Sequence, residues 1–286
     1  MGWGLLIAFV IGTFTLLALT SPRRKGRRRL GLEALGVRIV PAGNTLHWIG
    51  PAGGNWNVAA NWAENQIPVA GNGDTLVFDD VAGQAANTNS TDNIANLTIA
   101  NLTVNAAFTQ TITVSQDLEV DGNVFLQTGT TATLAVAQTQ LLRVPLKASV
   151  FTWEGGTING AVILGGPGQI PTLTLDAMNS QVTLNGNFDS YGNATLTTNK
   201  DIVMGAGAVF LTEQGATFNI TNDQGFVAPN GGLPQFTNGG LFEKTAGTGT
   251  SKVQTLFSNS GTILAGSGTI SFAQGVTQGN GAAQLY

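Results

Sequence analysis

Apolar and polar residues alternate along most of this chain in runs of three or four. Leu97-Thr98-Ile99, Leu102-Thr103-Val104, Thr111-Ile112-Thr113-Val114, Leu173-Thr174-Leu175, Val182-Thr183-Leu184 and Thr217-Phe218-Asn219-Ile220 are typical, and Gly, Asn and Asp separate such runs. A period of two predicts strands with one buried face, and the interrupting residues predict turns. Nothing after Thr20 looks helical.

Two copies of one pattern show how the strands are ordered. Phe236-Thr237-Asn238-Gly239-Gly240-Leu241-Phe242 and Phe257-Ser258-Asn259-Ser260-Gly261-Thr262-Ile263 match in register, twenty-one positions apart. That spacing between short strands predicts a solenoid, in which each turn of chain lies on the one before. The expected fold is all-β: a single-stranded, right-handed parallel β-helix preceded by an N-terminal apolar helix. Over residues 44–286 the period gives roughly eleven or twelve coils. Asn238 and Asn259 are expected to stack as an amide ladder, and turn glycines to supply positive φ between faces. A β-sandwich or stacked immunoglobulin-like domains would instead require hairpin pairs with regular two-residue turns, which the sequence lacks.

The expected divisions are an apolar transmembrane or signal-like segment at 1–22, a basic segment at 23–43, a Trp-rich cap with the first coils at 44–95, and coils at 96–286. An irregular loop is expected near 137–152. No cap is visible after the last coil, so the chain is expected to be a piece of a larger protein or to stack end to end at that coil.

Composition narrows the partners. Gly contributes 39 of 286 residues, and only 10% of residues are charged. Residues 1–42 hold seven Arg/Lys against one Glu, whereas residues 43–286 hold five against fifteen Asp/Glu. An acidic body argues against nucleic acid as partner. The absence of Cys removes disulfides, thiolate chemistry and Cys-based metal sites.

The N-terminus carries targeting signals. Gly2–Thr20 is uncharged and would span roughly 28 Å as a helix, close to the thickness of a bilayer core. Arg23, Arg24, Lys25, Arg27, Arg28 and Arg29 follow it directly, which by the positive-inside rule would hold the body in the cytoplasm. The stretch Arg27–Ala42, with Leu32-Glu33-Ala34-Leu35, Arg38 and Val40-Pro41, resembles a leader seen on many large secreted proteins of planctomycete bacteria. Gly36 and Val37 stand where that leader carries an acidic pair. The resemblance implies export, and the uncharged run with its basic flank confines any expected membrane contact to residues 2–29.

Residues 47–80 contain His47-Trp48-Ile49-Gly50, Asn55-Trp56, Asn61-Trp62, Pro68 and Asp74-Thr75-Leu76-Val77-Phe78-Asp79-Asp80. This series resembles the opening of bacterial adhesin-like, autotransporter-passenger-like β-helix proteins. Trp48, Trp56 and Trp62 suit a cover for the first coil, since indole combines a large apolar area with an N–H that needs a partner. The sharper alternative makes them a stacking platform for a sugar. His47, the only histidine, is expected at the cap.

Candidate chemistry is sparse. Asp117, Glu119 and Asp121 alternate with Leu118 and Val120 and so share one outward strand face. Neighbours at that spacing lie about 6.7 Å apart, which overlaps the separation used by inverting glycosidases, although a solvated acidic strip is the simpler explanation. Arg143 and Lys147 are the one close basic pair after Gly43, of interest because β-helix polysaccharide lyases need basic groups. No nucleophile elbow, Walker A sequence or His-x-x-x-His pair occurs, so no catalytic residue, metal or cofactor is assigned. The expected function is that of an exported, non-enzymatic surface protein, adhesin-like or a structural stalk. Its expected partner is a surface ligand, a polysaccharide or another protein. The alternative is a carbohydrate-active β-helix enzyme, a lyase or glycoside hydrolase.

Overall fold

Each alternating run forms a strand that buries every second side chain, and successive strands wind into three parallel sheets of eleven, ten and nine strands. The computed structural model describes residues 43–79, 87–137, 142–144, 149–178, 180–229, 231–279 and 282–285, with the strands at 142–144 and 282–285 given by their backbone alone. The apolar run Gly2–Thr20 and the leader-like segment lie outside the described residues. Among those described, no helix is long and apolar enough to cross a membrane.

The sheets form because every third strand meets the strand one turn earlier. On the first face Thr45–His47 lies beside Thr75–Phe78, then Asn101–Val104, Val124–Leu126, Val150–Trp153 and so on to Ala282–Leu285, and all of these pairings are parallel. Leu, Ile, Val and Phe side chains from all three faces meet in one continuous core. Each contributes about 1.5–3 kcal/mol once neighbouring turns exclude water. The fold is therefore the expected parallel β-helix, and the only helical element among the described residues is the short 3-10 turn Ala59–Asn61.

Turn length is less regular than the sequence period. Leu241 pairs with Thr262 at the expected offset of twenty-one, but Thr45 pairs with Thr75 at thirty and Thr75 with Asn101 at twenty-six. Among the described residues the three faces hold eleven, ten and nine strands, against the eleven or twelve coils that the period gives. Half of the stretch expected to be an irregular loop, residues 138–141 and 145–148, lies outside the described residues, and strands are described at Leu142–Val144 and from Val150. Leu142–Val144 pairs with the strands at Leu118–Val120 and Ala161–Leu164, and Val150–Trp153 begins the next first-face rung.

The tandem repeats stack as expected. Phe236 lies against Phe257 with ring centroids 5.3 Å apart and planes within 11° of parallel. This pair ends a column in which Phe188, Phe210 and Phe236 also stack, at 5.2 and 5.1 Å. The Asn238 amide donates to Asn259 Oδ1 at 2.7 Å, and the Asn259 amide donates onward to Gln278 Oε1 at 3.1 Å. Turn glycines such as Gly165 and Gly215 supply positive φ as expected, whereas the repeat glycines serve a different purpose. Neither Gly240 nor Gly261 has positive φ. Instead, a Cβ on Gly261 would fall 1.9 Å from the carbonyl oxygen of Gly240, and one on Gly240 would fall 2.0 Å from that of Ala216. The corner is glycine because consecutive backbones touch there.

Candidate functional site

The tryptophans come first along the chain. Trp48, Trp56 and Trp62 are at most 1% exposed. Trp48 and Trp56 each meet Trp62 edge to face, at 5.3 and 6.0 Å, and all three rings surround Phe78 of the next turn. The Trp48 indole N–H donates to Thr88 Oγ1 and that of Trp62 to the carbonyl of Trp56. Their aromatic faces are spent on one another and on the core, so none is open to stack on a sugar.

Asp74 secures the same end of the coil. Its carboxylate is fully buried and accepts the backbone N–H groups of Asn44 and Val69 and the Asn72 amide, all at 2.8–2.9 Å. His47 Nδ1 lies 3.1 Å from Asp79 Oδ2, and the His47 backbone N–H donates to Glu64. Among the described residues no hydroxyl is hydrogen-bonded to this imidazole–carboxylate pair. Asp80 lies outside the described residues.

Asp117, Glu119 and Asp121 sit on and beside the strand Leu118–Val120, with Asp117 and Asp121 exposed and Glu119 half-buried. On the neighbouring rungs Glu119 is in register with Thr98 and with Arg143. The fold thus places the backbone of the candidate base one rung from the candidate acid, a juxtaposition that sequence spacing did not show. Lys147 lies outside the described residues. Among those described, no three His, Asp or Glu side chains converge to hold a metal ion.

A different carboxyl pair is held together by the winding. Asp189 points outward from the strand Asn187–Ser190, and Glu213 follows the strand Val209–Thr212 one turn later, where its backbone N–H donates to Ser190 O. Burial raises the Asp189 pKa to about 6, and the charge and hydrogen bond of Glu213 push it in the same direction. Tyr191 lies beside the two acids, and its phenol is raised first by burial and then by both carboxylates. Glu213 and Tyr191 line a groove of about 490 Å³ with Gln169 and the exposed Ile170. A carboxylate beside a phenol in a groove, with the Asp189 carboxyl one rung away, can hydrogen-bond a polyhydroxylated ligand. The period of the tandem repeats did not reveal this pair, because here the turn is one position longer: Asp189 pairs with Leu211.

The chain matches no family model, no curated protein and no solved structure.

Two charged groups turn inward. Asp92 is fully buried in the second face, where Oδ1 accepts the Ile94 N–H at 3.0 Å and Oδ2 has no partner. Burial raises its pKa to about 7, against the lowering effect of the Ile94 hydrogen bond. Lys244 is also fully buried. Its ammonium donates to Asp223 Oδ1 at 2.9 Å, to Ser251 Oγ at 3.1 Å and to the Asn222 carbonyl. The Lys244 hydrogen bond holds the Asp223 carboxyl below its usual range, assisted by the Gly249 N–H. Both groups act as internal ties of the coil.

Proposed function

We propose that this chain is an exported, non-enzymatic β-helical surface protein, adhesin-like or a structural stalk. The observation that carries this reading is the pairing of an unbroken apolar core with outward rows of small polar residues. Thr111, Thr133, Thr157 and Thr183 form one such row over four consecutive rungs. Stacked turns of this kind make a stiff scaffold with a large, weakly charged surface, suited to presenting contacts along its length. The leader-like segment supports export, and Gly2–Thr20 supplies a candidate membrane tether. Protease shaving of intact cells, followed by fractionation, tests the reading. Surface-accessible protein is the expected result, and intact protein confined to the cytosol overturns it.

The Asp189–Glu213 pair favours a second reading, that of a carbohydrate-active enzyme. Incubation with neutral and acidic polysaccharides separates the two. Turnover by the wild type that is lost in Asp189→Asn with the fold retained would establish the enzyme. No turnover on any substrate, with the fold intact, leaves the surface protein.

A further inference from the structure

The first face carries a feature that neither the acid pair nor the tryptophans account for. Its outward side chains form two columns. One runs Thr103, Phe125, Thr152, Thr174 and Thr195, in register rung by rung. The second begins with Thr75 and Asn101, and further on Thr172, Asn193 and Thr217 pair in turn. Adjacent rungs are about 4.8 Å apart and the columns about 6.7 Å apart. Phe125 is the one aromatic in its column over these rungs. It projects outward and is half-buried, in a strand whose other two side chains, Val124 and Leu126, face the core. A groove of about 670 Å³ opens over it, lined also by Thr103, Thr152, Asn101, Asn123 and Glu154.

The polar groups around the ring are arranged with unused capacity. Asn123 spends its carbonyl on the Val150 N–H at 3.3 Å, so its amide N–H groups remain to donate. Glu154 gives Oε2 to the Thr128 N–H at 3.0 Å, leaving Oε1 to accept. The hydroxyls of Thr103, Thr152, Thr174 and Thr195 hydrogen-bond to no described residue. An apolar ring flanked by a free donor, a free acceptor and a row of hydroxyls is complementary to a sugar, whose C–H face stacks while its hydroxyls hydrogen-bond at the edges. The repeat along the column extends that complementarity to a chain of sugars. Charge selects among glycans. The columns hold no Lys or Arg, Glu154 borders the groove, and the body is acidic, so a uronate or sulfated polymer would be repelled.

We propose that the first face binds an extended, neutral glycan, with one sugar stacked on Phe125 and the chain running along Thr152, Thr174 and Thr195. This assigns a ligand class to the surface protein described above and rests on that reading for its biological setting, but binding is testable without it. The full-length chain is titrated with cellohexaose and chitohexaose, and with oligogalacturonate as the anionic comparison, by isothermal calorimetry. At least one neutral hexamer is expected to bind and the uronate to bind no better than background. Phe125→Thr places in the column the residue its neighbours already carry and is expected to weaken binding about tenfold with thermal stability retained. Asn123→Asp keeps the acceptor for Val150, removes the donor and is also expected to weaken binding. Thr183→Ala, on the second face, leaves it unchanged. Failure of both neutral hexamers, equal binding of the uronate, or wild-type affinity in Phe125→Thr would each overturn the site. Tight binding by a protein that proves cytosolic would keep the site and overturn the surface reading.

Discussion

At the scale of single residues the two inward charges behave differently, because one has a counter-ion and the other has none. Asp92 is protonated in the folded protein up to about pH 7, while in the unfolded chain it ionises near 3.8. The folded state therefore holds the extra proton between these values. Its stabilising effect is complete below about pH 4 and is lost progressively as pH rises to and through about 7, a change on the order of 4 kcal/mol. Urea unfolding at a series of pH values should show this decline, and Asp92→Asn, which cannot ionise, should flatten it. Lys244 faces the opposite situation, since its ammonium is buried but paired. Asp223→Ala strands the charge and should lower the melting temperature. Lys244→Met removes the charge and leaves a half-exposed carboxylate to water, so it should lower the melting temperature less. Neither role was legible in the sequence. Asp92 follows Ser90-Thr91 in a run without the usual apolar alternation, and Lys244 ends a strand where an exposed lysine is the ordinary expectation.

At the scale of one turn, strands and corners differ in how readily they can be read. The strands were legible because alternation is a local property: Leu173-Thr174-Leu175 declares its buried face without reference to any other residue. Corners depend on what lies one turn away, and the two kinds of glycine illustrate this. Gly215 has φ +86 and nothing within 4 Å of the place a methyl would take, so Gly215→Ala should cost only the strain of left-handed backbone, about 1–2 kcal/mol. Gly261 has ordinary φ but a carbonyl of the preceding turn in its way. Gly261→Ala must push two rungs apart and should cost about 2 kcal/mol or more. Denaturation of the two variants should therefore rank Gly261→Ala as the more damaging. The carboxyl pair was hidden for the same reason. Tyr191, Asp189 and Glu213 come together only because the turn between them sets Leu211 opposite Asp189 and Thr212 opposite Ser190. A slip of a single position would move Glu213 elsewhere along the edge.

At the scale of the whole solenoid, each turn touches only its neighbours, so damage should stay local. Phe236 stacks on Phe210 and Phe257 and also meets Phe218, Phe226 and Phe242 edge to face or nearly so. Phe236→Ala should destabilise by about 3–5 kcal/mol. Hydrogen exchange should then rise in residues 209–263 while the Trp-lined turns keep their protection. A uniform rise along the chain would mean that the solenoid unfolds as one unit. Function was the least legible at this scale, because a ligand would meet columns that only the stacked register creates. Phe125 reads in the sequence as one more core residue of Val124-Phe125-Leu126, and only its register with Thr103 and Thr152 shows that it faces outward. The amide ladder through Asn238 has a further consequence, for chemical ageing. Asn-Gly is the sequence in which the following backbone nitrogen most readily attacks the side-chain amide and converts it to an acid. At Asn238-Gly239 that nitrogen is tied to the Thr212 carbonyl at 2.6 Å and the amide to Asn259, whereas Asn185-Gly186 presents an exposed amide. Peptide mapping of protein stored at mildly alkaline pH should find Asn185 converted well before Asn238, so that intact Asn238 in an old sample records a stack that has stayed closed.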